Sequence, residues 1–224
     1  MNNIAVVYDS TNDVSTQAGK AVVDFFGAHD IGLSDPTELA PSLTQLKASG
    51  VRLRGLLFYN HGQPGGLIFE APSKVMRAND ITFHLAGKGL ENLFLPGATI
   101  LFPNCEVAAI EPGCDNLRAE CAATDNGLVF LQTVAETLLF KSGGRVGGWD
   151  TQSHVVLYHL DQLFLGHHLP PFRFSGTLYW SIINRGGSLV RLAIGDELDS
   201  PYGSWEVNVD RQLFDYRFSV NPPV

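Results

Sequence analysis

LRGLLFYNHGQPGGLIFE, Leu53 to Glu70, is the stretch that decides how this chain is read. Its first half, Leu53 to Asn60, reads as a central strand, free of charge from Gly55 onward. A run without polar alternation suits a strand buried on both faces of a parallel sheet. The run stops abruptly at His61-Gly62, and the Gly- and Pro-rich turn HGQPGG then feeds a second short strand, LIFE. A histidine therefore stands where a central strand ends.

The same grammar continues on either side. IAVVYD, Ile4 to Asp9, is another buried-strand run. A helical pattern follows, with Val14, Ala18, Val22 and Phe26 on one stripe. A second helix carries its own start signal: Asp35 as N-cap, Pro36 in the first turn and Glu38 three residues after the cap. Its stripe is Leu39, Leu43 and Leu46, and Gly50 closes it. Downstream of the decisive stretch, NDITFHLAGKGLENL from Asn79 reads as one helix, and ATILFPN, Ala98 to Asn104, as a strand with Cys105 just past its carboxyl end. Residues 106 to 124 read as a polar, acid-rich loop, expected to be mobile, with Arg118 a candidate cleavage point. A helix with Leu128, Leu131, Val134, Ala135 and Leu138 on one face follows. RVGGWD, Arg145 to Asp150, is the next strand.

Alternating strands and helices predict an α/β domain: a mostly parallel central sheet with helices on both faces. Beyond Thr151, PFRFSGTLYWSII and SLVRLAI flank an Arg-Gly-Gly turn and predict a β-hairpin added at the C-terminal side, with SWEVNV as one more strand. No linker or repeat divides the chain, so residues 1–224 are expected to form a single domain.

Composition narrows the function. With 45% hydrophobic and 17% charged residues, the 224-residue chain can bury a full core. A net charge of −8 opposes a nucleic-acid partner, whose phosphates would be repelled. No apolar run approaches the roughly 20 residues that span a bilayer, so no membrane partner is expected. The start MNNIAVVYDS lacks a basic n-region and meets an acid at Asp9, so it does not read as a secretory signal. Cys105, Cys114 and Cys121 are an odd, irregularly spaced set, which fits a reducing, cytoplasmic setting better than a disulfide framework or a zinc ribbon.

In open α/β sheets, ligands bind outside the carboxyl ends of the strands. His61 and Cys105 both fall there. A thiol so placed can attack an acyl carbon to form a thioester, with the imidazole stabilising the thiolate and later protonating the leaving amine. Gly62, without a side chain, lets its backbone N–H approach a developing oxyanion.

The local sequences carry a resemblance. LLFYNHGQPGGLIF resembles the histidine segment of caspases, and PGATILFPNC resembles their cysteine segment, a strand that delivers the nucleophile. Caspases place the histidine about 50 residues upstream of the cysteine, and a slightly shorter interval separates His61 from Cys105. The likeness covers roughly residues 1 to 150 and extends to the wider caspase-like group, including metacaspases, separase-like and CHAT-type domains. It implies a caspase-like three-layer sandwich and a cysteine endopeptidase acting on a protein or peptide substrate. Cys105 would be the nucleophile, His61 the acid/base, and Gly62 with the Cys105 backbone N–H the oxyanion hole. No cofactor and no metal are expected, and a regulatory protein partner or activating cleavage would fit the group. Caspases follow the cysteine with Arg-Gly, whereas this chain has Glu106-Val107, and the acid-binding arginines have no counterpart. Specificity for aspartate is therefore not expected.

Asp9 and Asp150 end two of the predicted parallel strands on the same rim. They are candidates to line an S1 pocket for Arg or Lys, as acids do in several basic-specific members of the group. Equally, each is the kind of strand-end acid that caps the following loop. Arg145 should lie at the opposite end of its strand. Cys114, Cys121 and His84 lack metal-ligand spacing, and His154, His159, His167 and His168 read as a solvated cluster. Two other readings stay open: a catalytically inactive caspase-like interaction module, and a flavodoxin-like small-molecule binder.

Overall fold

β1 (Ile4–Asp9) is buried along its whole length, so both of its faces must be covered. In the computed structural model, which describes residues 3–71, 73–103, 106–110, 126–150, 178–194 and 205–207, helices cover both. One face is closed by α1 (Asp13–Phe26). Asn12 caps it by accepting a hydrogen bond from the Ser15 N–H at 2.7 Å, and Gly27 ends it in the left-handed region at φ 57°. Of the expected stripe of Val14, Ala18, Val22 and Phe26, Val22 is buried and Ala18 and Phe26 are half-buried, but Val14 is not part of it. The buried face is Ser15, Gly19 and Val22, while Val14 is 68% exposed. The reason is close approach: a Cβ on Gly19 would come within 2.6 Å of the Tyr8 ring, so small residues make the contact and the helix turns Val14 outward.

β2 (His29–Leu33) pairs in parallel with β1, an element that the sequence reading did not anticipate. Asp35 caps a short 3-10 turn at Pro36–Glu38, which runs directly into α2 (Leu39–Ala48). Glu38 reaches back to accept from the Ser34 N–H at 2.8 Å and from the Ser34 hydroxyl at 2.9 Å. β3 (Leu53–Tyr59) lies against the other edge of β1. The chain then leaves the main sheet for a small antiparallel one: β4 (His61–Gln63), β5 (Gly66–Phe69) and β6 (Lys74–Arg77). α3 (Ala78–Leu85) is shorter than the single helix expected from Asn79. Left-handed Gly87 and Gly89 break it and leave a separate 3-10 turn at Leu90–Asn92.

β7 (Phe94–Phe102), α4 (Gly127–Leu138) and β8 (Gly144–Trp149) complete the parallel part. The expected hairpin is present as β9 (Leu178–Ile183) and β10 (Leu189–Ile194), and SWEVNV contributes β11 (Trp205–Val207). The main sheet has eight strands in the order β11-β10-β9-β8-β7-β3-β1-β2. From β2 to β8 every pairing is parallel, and from β8 outward every pairing is antiparallel. The architecture is thus α/β with a mixed sheet and helices on both faces.

Alternate residues face different layers. Ala5, Val7, Leu56, Phe58, Ile100, Phe102 and Val146 join Phe130, Leu131 and Val134 of α4 in one buried cluster, which also holds residues of α2 and α3. Phe58 stacks on Phe102 at 4.8 Å, and Phe102 meets Phe130 edge-on at 5.2 Å. Tyr8 faces α1 instead. Burial and the neighbouring Asp30 carboxylate push its hydroxyl up to about 12. No helix among the described residues is long and apolar enough to cross a membrane.

Two changes test this packing. A Cβ at Gly127 would lie 2.2 Å from the Ala108 carbonyl carbon and 2.3 Å from the Val107 oxygen, both backbone atoms. Alanine is the better helix former by about 1 kcal/mol, but overpacking against backbone costs about 3 kcal/mol or more, so the clash wins. Gly127→Ala should lower the denaturation midpoint clearly, and an unchanged or raised midpoint would contradict the packing. The second change concerns Asp35, whose carboxylate accepts a hydrogen bond from Lys74 and so ties β6 to the turn before α2. That bond, then those from Thr37, hold the carboxyl at about 2, below the ordinary aspartate range. A depressed carboxylate stabilises the fold above its unfolded value and loses that contribution as pH falls through its folded value. The stability difference between wild type and Asp35→Asn should therefore be present at pH 7 and shrink from about pH 4 to pH 2. A gap that widens on acidification would reverse the sign.

Candidate active site

The sheet order sets neighbouring strand ends in a row: β8, β7, β3, β1. Asp150 follows β8, Asn60 and His61 follow β3, and Asp9 ends β1. In sequence, β7 runs on through Pro103 toward Cys105, which lies outside the described residues, as do Cys114, Cys121, Arg118 and the four histidines from His154 to His168. The described chain resumes at Glu106.

His61 opens β4, and the β-turn at Pro64-Gly65 folds β5 back on it. Gln63 pairs with Gly66, Gly62 with Leu67 and His61 with Ile68. Gly65 adopts φ 67°, the positive φ that a type II turn takes at its third residue. Side chains alternate across this hairpin. Leu67 and Phe69 point into the core with no exposed surface, whereas His61 stands on the outer face with its side chain 49% exposed. The closing pair of a two-residue turn is hydrogen-bonded, so the next pair, Gly62 and Leu67, is not. The Gly62 N–H consequently points away from β5, and β4 is the edge strand of its sheet.

Asp9 is where the hairpin meets the main sheet. Its carboxylate is fully buried. Oδ1 accepts from the Thr11 N–H at 2.9 Å and the Thr11 hydroxyl at 2.6 Å, and Oδ2 accepts from the Glu70 N–H at 2.8 Å. The Thr11 oxygen in turn accepts from the Ala71 N–H at 3.2 Å. A carboxylate with no exposed surface and both oxygens occupied has nothing to offer a substrate side chain. Asp9 is therefore a structural joint and not an S1 residue. Asp150, by contrast, is partly exposed at the end of β8. Arg145 lies toward the opposite end of that strand, its Nε donating to the Thr99 hydroxyl at 3.0 Å and its guanidinium 4.9 Å over the Trp180 ring.

The segment after Cys105 is not the exposed loop that its polarity suggested, at least over residues 106–110. Val107 and Ala108 are buried at 0% and 1%. The Ala108 N–H donates to the Trp149 carbonyl at 2.8 Å, the Val107 carbonyl accepts from the Gly65 N–H at 3.2 Å, and the Gly127 N–H donates to the Ala109 carbonyl at 2.8 Å. Three separate elements thus hold it: the end of β8, the turn of the β4–β5 hairpin and the start of α4. Glu106 itself has φ 58°. A non-glycine residue in that region carries of order 1–3 kcal/mol of strain, and such strain clusters at functional sites.

Sequence reasoning missed Glu70. Its Oε1 lies 3.7 Å from His61 Nε2, with the two side chains about equally exposed at 50% and 49%. The signal was present in LIFE: with Ile68 opposite His61, Glu70 is the next residue on the same face of the hairpin. Tyr59, the last residue of β3, has its phenol pushed up by burial and stays protonated.

No protein-family model, curated protein or solved structure matches this chain. The site therefore rests on the chain's own geometry.

The Asp9 joint is directly testable. Asp9→Ala leaves the Thr11 N–H, the Thr11 hydroxyl and the Glu70 N–H without their acceptor. Hydrogen bonds to a charged group contribute about 1.5–3 kcal/mol each, so denaturation should show a loss of about 3 kcal/mol or more. A loss below about 1 kcal/mol would mean that the hairpin is held by other contacts.

Proposed function

We propose that the chain is a caspase-like cysteine peptidase domain that cleaves protein or peptide substrates with a His61–Cys105 dyad. The observation that carries this reading is the hydrogen bond from the Gly65 N–H to the Val107 carbonyl at 3.2 Å. It ties the hairpin headed by His61 to the chain two residues beyond Cys105, across the ends of the adjacent strands β3 and β7. The strained backbone of Glu106 and the outward N–H of Gly62 support the same reading.

The Cys105 thiol gives its proton to His61 and its sulfur attacks the scissile carbonyl carbon. The oxyanion is met by the Gly62 N–H together with that of Cys105. The His61 proton passes to the leaving amine, and water then attacks the thioester, returning the thiol. Asp150, partly exposed beside this rim, fits a basic P1 side chain. No cofactor enters the scheme. A cytoplasmic setting and control by a partner protein or by cleavage belong to the same proposal, by analogy with the group.

A phosphate-binding, flavodoxin-like reading is disfavoured by the first βα turn. There Asp9 and Asp13 put negative charge at the start of α1, and the Asn12 side chain already occupies the helix cap.

A peptide-library cleavage profile tests the proposal. Cys105→Ala and His61→Ala should each lower turnover roughly a thousandfold or more while leaving the fold intact. Asp150→Ala should lower kcat/KM for Arg or Lys at P1 by about 100-fold, with much less effect on a neutral P1. Wild-type turnover in either dyad variant would remove the peptidase reading. Efficient cleavage after Asp would remove the basic preference alone.

A further inference from the structure

Glu70 is held from both sides by its backbone. Its N–H donates to Asp9 Oδ2 at 2.8 Å, and its carbonyl accepts from the Ser73 N–H at 2.7 Å and the Ser73 hydroxyl at 3.1 Å. Asp9, buried at the end of β1, does not move with the surface. The Glu70 side chain therefore springs from a fixed point, on the face of the hairpin that carries His61, and its carboxylate stands 3.7 Å from His61 Nε2. For stability such a half-exposed pair counts for little. For an imidazole that must present one particular nitrogen, a fixed carboxylate on the other nitrogen matters more, because it decides which nitrogen carries the proton.

Resting on the dyad reading above, we infer that Glu70 is the positioning residue of His61. Its carboxylate holds the Nε2–H, so that Nδ1 is the nitrogen left to take a proton. In the proton step the hydrogen leaves Cys105 Sγ for Nδ1, giving a thiolate and an imidazolium whose Nε2–H is directed at Glu70. The same proton later goes from Nδ1 to the leaving amine. Contacts of this kind are commonly long in a free enzyme and tighten when the site is occupied. The device couples three strands: β1 fixes Glu70 through Asp9, Glu70 fixes His61, and His61 serves the cysteine that follows β7.

The test needs no substrate. Wild-type chain and the variants Glu70→Gln, Glu70→Asp, Glu70→Lys and His61→Ala are treated with iodoacetamide at neutral pH, and the rate of Cys105 alkylation is followed by mass spectrometry of its peptide. Each Glu70 variant keeps the backbone N–H that bonds Asp9, so the fold is retained. Glu70→Gln should slow alkylation by about tenfold, Glu70→Asp should recover part of that loss, and Glu70→Lys should be slower than Glu70→Gln. A role in packing alone would not follow this order of charge. If His61→Ala slows Cys105 and all three Glu70 variants match wild type, the positioning role is wrong and the dyad stands. If His61→Ala itself leaves the rate unchanged, the dyad reading fails and this inference fails with it.

Discussion

Two sheets that share no strand ladder among the described residues must be joined by something other than the backbone pairing that builds each of them. Here the joint is a buried carboxylate. Asp9 ends β1 with no exposed surface and receives three hydrogen bonds, two from its own turn and one from Glu70 at the end of β5. A buried charge is tolerable only when its acceptor sites are filled, so the position of Glu70 is set as closely as that of β1. Asp35 with Lys74, and Gly65 with Val107, add lateral ties. Leu67, Phe69 and Met76 pack the small sheet on the core, and the Asp9 joint fixes where its Glu70 end sits.

The main sheet was legible because burial on both faces leaves a loud signal. Ile4–Asp9, Leu53–Tyr59 and the apolar part of Phe94–Phe102 have few polar residues to confuse the pattern. β2 was not legible. As an edge strand it buries only Ile31 and Leu33, and His29, Asp30 and Gly32 dilute the run. β6 was missed for the same reason: Lys74 and Arg77 flank a two-residue apolar centre, and only pairing with β5 makes KVMR a strand. Local composition also misled over residues 106–110, where Val107 and Ala108 are pinned by partners distant in sequence.

At the candidate site, the residue types were legible and their division of labour was not. His61 and Gly62 stand just past the end of β3, as expected, but in a short strand, β4, and not in the turn. Asp9 and Asp150 look alike in sequence, each an acid closing a parallel strand, yet one is sealed under the hairpin and the other stays partly exposed. The Glu70 N–H that helps to seal Asp9 arrives from 61 residues away. Glu70 was invisible for a related reason: the two-residue turn sets the register, and the register sets which residues share the face of His61. Which residues end the parallel strands can thus be read from sequence, whereas the sealing of Asp9 depends on a partner across the fold.

The proposed dyad requires that His61 activate Cys105 for attack on an acyl carbon. An active-site-directed label, a peptidyl acyloxymethyl ketone with arginine at P1, tests it most directly when the intact chain is weighed and its peptides are mapped. The account predicts a single adduct on Cys105, none on Cys114 or Cys121, and loss of that adduct in His61→Ala. Equal labelling of the three cysteines, or an adduct on Cys105 that persists undiminished without His61, would contradict it.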